Sequence, residues 1–84
     1  MITIYTKSYC PYCTLAKNLL SKLKVEFKEI DITNDPEIMQ KLHEKSNMLT
    51  VPQIFVNDHC LGGYSDIEKL HNEGKLLEKI NLAK

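Results

Sequence analysis

The stretch YCPYCTLAK, residues 9–17, sets Cys10 and Cys13 three positions apart with a proline and a tyrosine between them. Two thiols at this spacing can form half of a metal site, a structural crosslink, or a couple that cycles between dithiol and disulfide. Tetrahedral zinc takes four ligands, usually from two close pairs. The distant candidates are His59 and Cys60, which are adjacent in a stretch that reads as a strand and so point to opposite faces. A crosslink this local is too short to staple a fold, and Cys60 leaves the cysteine count odd. A redox couple needs something else, namely one activated thiolate beside one resting thiol. The spacing alone permits all three chemistries.

Composition and element order narrow the choice. Eleven basic residues cancel eleven acidic ones over 84 positions, so there is no electrostatic footprint for nucleic acid or for an anionic membrane. No apolar run approaches the roughly 20 residues of a membrane span. Hydrophobic residues make up 43%, which supports a core and argues against disorder. No linker, repeat or low-complexity segment interrupts the chain, and residues 1–84 are expected to form a single domain. Met1 leads straight into ITIYT without a charged leader, so a cytoplasmic location is expected.

ITIYT (2–6) is β-branched and aromatic, a strand by composition. Leu15, Ala16, Leu19, Leu20 and Leu23 then recur at helical spacing. VEFKEIDI (25–32) starts as an alternating strand, but its apolar parity shifts from Val25 and Phe27 to Ile30 and Ile32. An ending or irregularity near Lys28 or Glu29 is therefore expected. NDPEIMQKLHEKS reads as a helix with Asp35 as N-cap and Pro36 at its first position. QIFV (53–56) is a short buried strand, and Asn57–Asp58 turns it into HCL (59–61) as a hairpin. SDIE (65–68) reads as a capping box with Ser65 at its head, opening a helix that Gly74 stops. Lys75 to Asn81 can add a last turn or two. The order is βαβ, α, ββ, α, with the first two strands parallel and the hairpin antiparallel.

This order puts Cys10 where a strand ends and a helix begins. Free backbone N–H groups and the helix dipole favour an anion there, and Lys7 can add a positive charge. A thiolate so placed can have its pKa drawn from about 8.5 into the range of roughly 3.5 to 7.5. Pro11 suits the first helical turn, and Cys13 sits one turn deeper as the resting partner. The asymmetry of a redox couple follows.

CPYC after a strand, TVPQIF some forty residues on, and then GGYSD together resemble the three signature segments of a glutaredoxin of the dithiol class. The resemblance spans essentially the whole chain. It implies a thioredoxin-like α/β fold, a small four-stranded mixed sheet flanked by helices. The implied activity is glutathione-dependent thiol–disulfide exchange on protein–glutathione mixed disulfides and protein disulfides, with Cys10 as nucleophile and Cys13 as its partner. Family members serve as electron donors to ribonucleotide reductase and other reductases. Glutathione is the implied co-substrate. No tightly bound cofactor, no metal and a monomeric working unit are expected, although the family also admits an iron–sulfur cluster bridging two chains. Pro52 is implied to be cis, which leaves Val51 N–H and C=O free to pair with an extended peptide. Lys7 and Tyr12 then flank one end of a groove, Thr50, Val51 and Pro52 line its middle, and Gly63, Ser65 and Asp66 hold the γ-glutamyl end. Gly62–Gly63 lets backbone approach closely, the helix start offers N–H groups to a carboxylate, and Asp66 can meet the ligand's ammonium.

The chain departs from the family pattern in one respect. Met48 and Leu49 stand before Thr50 where relatives often carry a basic residue, and Met39 stands at a helical position often basic or amide. Lys41 and Lys45 are the candidate substitutes. Cys60 reads as a small buried hydrophobe, with a regulatory thiol as the second reading. His43 and His71 read as solvated helix residues. Two rival functions remain, namely a thioredoxin-like donor recharged by a flavoprotein reductase, and a zinc or iron–sulfur binding module. Proline inside the motif stands against the cluster, while TVP and GGYSD stand against the donor.

Overall fold

The computed structural model describes residues 1–82. The β-branched N-terminal run forms β1 (Ile2–Thr6), followed by α1 (Pro11–Lys22) and β2 (Phe27–Asp31). Then come α2 (Pro36–Ser46), β3 (Gln53–Val56), β4 (His59–Gly62), α3 (Tyr64–Asn72) and α4 (Leu76–Leu82). The sheet order is β2-β1-β3-β4. β1 runs parallel to β2 and antiparallel to β3, and β3 and β4 form the antiparallel hairpin. This is the mixed four-stranded sheet that the element order predicts.

The expected ending or irregularity within β2 is absent. Pairing with β1 is unbroken from Ile2↔Phe27 to Thr6↔Asp31. The parity shift has another cause, because the sheet buries apolar residues on both faces. On one face Ile2, Ile4, Ile54 and Val56 pack with Ala16, Leu20, Ile67, Leu76 and Ile80, and Phe27 lies against them. On the other, Phe55 packs with Ile32 and Leu42, joined by Tyr5 and Ile30. A strand that feeds two cores carries apolar residues of both parities without slipping register. The register does shift between Ile54 and Phe55, where β3 meets β4. Leu15, placed on the apolar stripe of α1 by its spacing, is instead exposed.

Helix ends explain where the chain turns. Asp35 caps α2, its carboxylate accepting from Ile38 N–H at 3.2 Å, with Pro36 next. Asn47 ends that helix in the left-handed region at φ 59°. Gly74 (φ 71°) follows α3, its N–H donating to His71 C=O at 2.9 Å. Ser65 is not the N-cap of α3. Gly63 holds that position, the helix starts at Tyr64, and Asp66 closes the cap by accepting from Gly63 N–H at 2.8 Å. The Gly62–Gly63 pair lets the chain enter the helix two residues earlier than a serine cap would. His43 and His71 are half-buried rather than solvated, and His43 Nδ1 is buried without a hydrogen-bond partner among the described residues.

Candidate active site

Cys10 is the N-cap of α1, in extended geometry at φ −107°, and its Sγ accepts from Cys13 N–H at 3.1 Å. The sulfur thus occupies the position that a serine or aspartate oxygen takes at an ordinary helix start. The N–H group and the positive end of the helix favour negative charge on it. Cys13 is one turn in and only 2% exposed, whereas Cys10 is half-buried. The two are joined as a disulfide with their Cα atoms 5.2 Å apart. Cys10 Sγ also lies 3.8 Å from the Val51 carbonyl oxygen.

A cavity opens on each side of the pair. The first, about 540 Å³, is lined by Cys10 and Cys13 with Lys7, Thr6, Lys17 and Glu29 among others. Glu29 Oε2 accepts from the buried Thr6 hydroxyl at 2.8 Å and from Lys17 Nζ at 3.1 Å. The Thr6 hydrogen bond, then Lys17, hold the Glu29 carboxyl below its ordinary 4.5.

The second is a groove of about 410 Å³. It brings together Tyr12, Thr50, Val51, Pro52, Gly63, Ser65 and Asp66, all candidates from sequence. Lys7 lines the other cavity, away from this groove, and Met48 does line it. Lys41 and Lys45 are not among its lining residues, and Lys45 is turned toward Asp58 at 3.7 Å. The Val51–Pro52 bond is cis. Val51 lies just outside β3, and among the described residues nothing accepts its N–H. At the far end, the amides of Ser65 and Asp66 lie in the first turn of α3, before its first i→i−4 bond from Ile67 N–H to Gly63 C=O.

Two contributors escaped the sequence reading. Tyr64 joins the groove beside Tyr12, ring centroids 6.2 Å apart. Gln53, wholly buried, donates from Nε2 to Met48 C=O at 3.1 Å and Thr50 C=O at 3.0 Å, while its Oε1 meets the Ser46 hydroxyl at 2.9 Å. A glutamine inside an otherwise apolar strand was the available signal, since a buried amide needs partners. Cys60 packs half-buried against Phe55, and burial is the main reason its thiol is pushed above 9.0. No group of three or more His, Cys, Asp or Glu side chains is arranged to hold a metal among the described residues. No helix among them is long and apolar enough to cross a membrane.

Residues 2–61 match the family model described as glutaredoxin. The chain is 43% identical over 82 residues to Glutaredoxin-2 of Schizosaccharomyces pombe, spanning 94% of this chain and 74% of that one. It is similar to the solution structure of a glutaredoxin from Brucella melitensis, with a TM-score of 0.86 and 41% identity over 99% of this chain and 90% of the other. It also resembles a buckwheat glutaredoxin–glutathione complex, with a TM-score of 0.89 and 25% identity over 98% of this chain and 77% of the other.

Proposed function

The chain belongs to the glutaredoxin family and is a thiol–disulfide oxidoreductase, and on that premise we propose that glutathione is its reductant. Protein–glutathione mixed disulfides and protein disulfides are the proposed substrates. One observation carries this reading. A groove whose Val51 backbone N–H has no acceptor among the described residues, and which ends at the N-terminus of α3, lies beside the Cys10 sulfur. An extended tripeptide can pair with Val51 as an added strand, set a terminal carboxylate on the Ser65 and Asp66 N–H groups, and meet Asp66 with its ammonium. The buckwheat complex with glutathione supports the same ligand for this groove.

The exchange then runs in balanced two-electron steps. Cys10 thiolate attacks the glutathione sulfur of a mixed disulfide, the old S–S bond breaks, and the target leaves as a thiolate that takes a proton. A second glutathione thiolate attacks the glutathione sulfur of the Cys10 adduct, giving glutathione disulfide and restoring Cys10 thiolate. With a protein disulfide, Cys10 attacks one sulfur and Cys13 then attacks Cys10. The second target thiol is released, and the Cys10–Cys13 disulfide is left for two glutathiones to reduce. In this reading residues 1–84 act as one domain and a monomer in the cytoplasm, and ribonucleotide reductase is one candidate target.

A coupled assay on a small glutathione mixed disulfide tests the proposal by exchanging the electron source. Turnover with glutathione and its reductase is expected. Turnover only with thioredoxin reductase overturns the glutathione reading in favour of a thioredoxin-like donor.

A further inference from the structure

The exchange chemistry uses Cys10, Cys13 and the groove, and leaves Lys17 and Glu29 in the other cavity without a role. Lys17 is four residues after Cys13 on α1, so their side chains share one helix face. Both line the cavity with Cys10 and Glu29. An unopposed ammonium there would favour the Cys13 thiolate and narrow its difference from Cys10. It is not unopposed. Glu29 on β2 holds Lys17 Nζ at 3.1 Å, and the carboxylate is itself fixed by the Thr6 hydroxyl at 2.8 Å. Thr6 is one of two buried polar side chains among the described residues, and this hydrogen bond is what it makes there.

We propose that Glu29 is a positioning residue that, by pinning and cancelling Lys17, keeps Cys13 a neutral thiol while the helix end activates Cys10. The inference rests on the division of labour between the two cysteines given above. The other ionisable groups facing this cavity are Lys7 and Tyr9 from the β1–α1 loop and Asp31 from β2. Asp31 is engaged by Thr33, whose N–H donates to it at 2.8 Å, and Lys7 and Tyr9 are exposed. From α3, packed against α1, Tyr64 and Asp66 face the groove instead. The Lys17–Glu29 pair is thus the charge system whose balance Cys13 senses. Its side chains are 33% and 38% exposed, so solvent screens but does not remove the effect.

The test is the thiolate absorbance titration of the reduced Cys10→Ser/Cys60→Ser protein, in which Cys13 is the sole thiol of the 84 residues. Adding Glu29→Gln should lower the Cys13 pKa by about one unit, the size expected of a unit charge one helical turn away in a half-exposed site. Adding Lys17→Gln should raise it by a similar amount, and both together should return it toward the starting value. Opposite signs from the two single changes are the signature, because a purely structural disturbance would move both the same way. Shifts of one sign, or no shift in either, overturn the proposal. If Glu29→Gln does not fold by circular dichroism, Lys17→Gln decides alone, and a fall or no change in the Cys13 pKa overturns it. The titration needs no glutathione, so its outcome is separate from that of the coupled assay.

Discussion

Three cysteines within one small chain are set apart by what surrounds each sulfur. Cys10 caps a helix, Cys13 is enclosed one turn further on, and burial against Phe55 holds the Cys60 thiol above its ordinary range. Brief iodoacetamide treatment of the reduced protein at mildly acidic pH should therefore label Cys10 first, as read by mass spectrometry. Label arriving first on Cys13 or Cys60 would contradict this assignment. Cys13→Ser should keep most turnover of glutathione mixed disulfides and lose much of its activity on protein disulfides. The second route needs an intramolecular thiol of high effective concentration to release the target. Cys10→Ser should abolish both activities, and loss of both in folded Cys13→Ser would refute the glutathione-only route. The Glu29 carboxyl lies below its unfolded value, so its stabilisation is present above about pH 4.5 and fades as pH falls through the folded pKa. Denaturant curves of Glu29→Gln should then show a loss of under about 1 kcal/mol at neutral pH, converging with the parent in acid. A loss that persists unchanged in acid would mean the cost is packing. The cysteines were legible because their meaning lies in local spacing. Glu29 was not, since its partners Thr6 and Lys17 come from two other elements.

Among the elements, the start of α3 closes one end of the groove. Gly62 has φ 110°, and a Cβ built there would overlap the Asp66 carboxylate that closes the cap. Gly62→Ala should thus both strain the backbone and displace Asp66, with a lower melting temperature and a higher KM for glutathione substrates. Asp66→Ala should show the same two effects without the backbone strain, and the lost cap should cost about 1 kcal/mol. Kinetics unchanged in Asp66→Ala would remove it from the groove. The caps of α2 were readable from Asp35 and Pro36, because a side chain and a ring state the helix start outright. The start of α3 was misread at Ser65, because a glycine N-cap has no side chain to announce it, and the carboxylate three residues on does the capping. The same limit applied to β2, whose two-faced burial looks like a register fault until α2 is known to cover the second face.

For the molecule as a whole, two apolar layers press on one sheet, and Ile4 and Ile54 sit wholly buried on its larger side. Ile54→Ala should cost about 2–5 kcal/mol in chemical denaturation, and a loss below about 1 kcal/mol would show that the site collapses around the cavity. The order of strands and helices could be read from the chain because each element shows its own period. The groove could be placed only by resemblance, since Tyr12, Val51 and Asp66 meet through the sheet and not through sequence proximity. Gln53 has a consequence of its own. Its amide ties the carbonyls of Met48 and Thr50 to the end of α2, so the irregular segment ahead of Pro52 is braced from beneath. On the proposed reading, a ligand arriving at Val51 would meet a backbone already held by these hydrogen bonds. Calorimetry of a bound tripeptide should accordingly show little entropic penalty from ordering the protein, and replacing Gln53 with leucine should transfer that cost to the binding event.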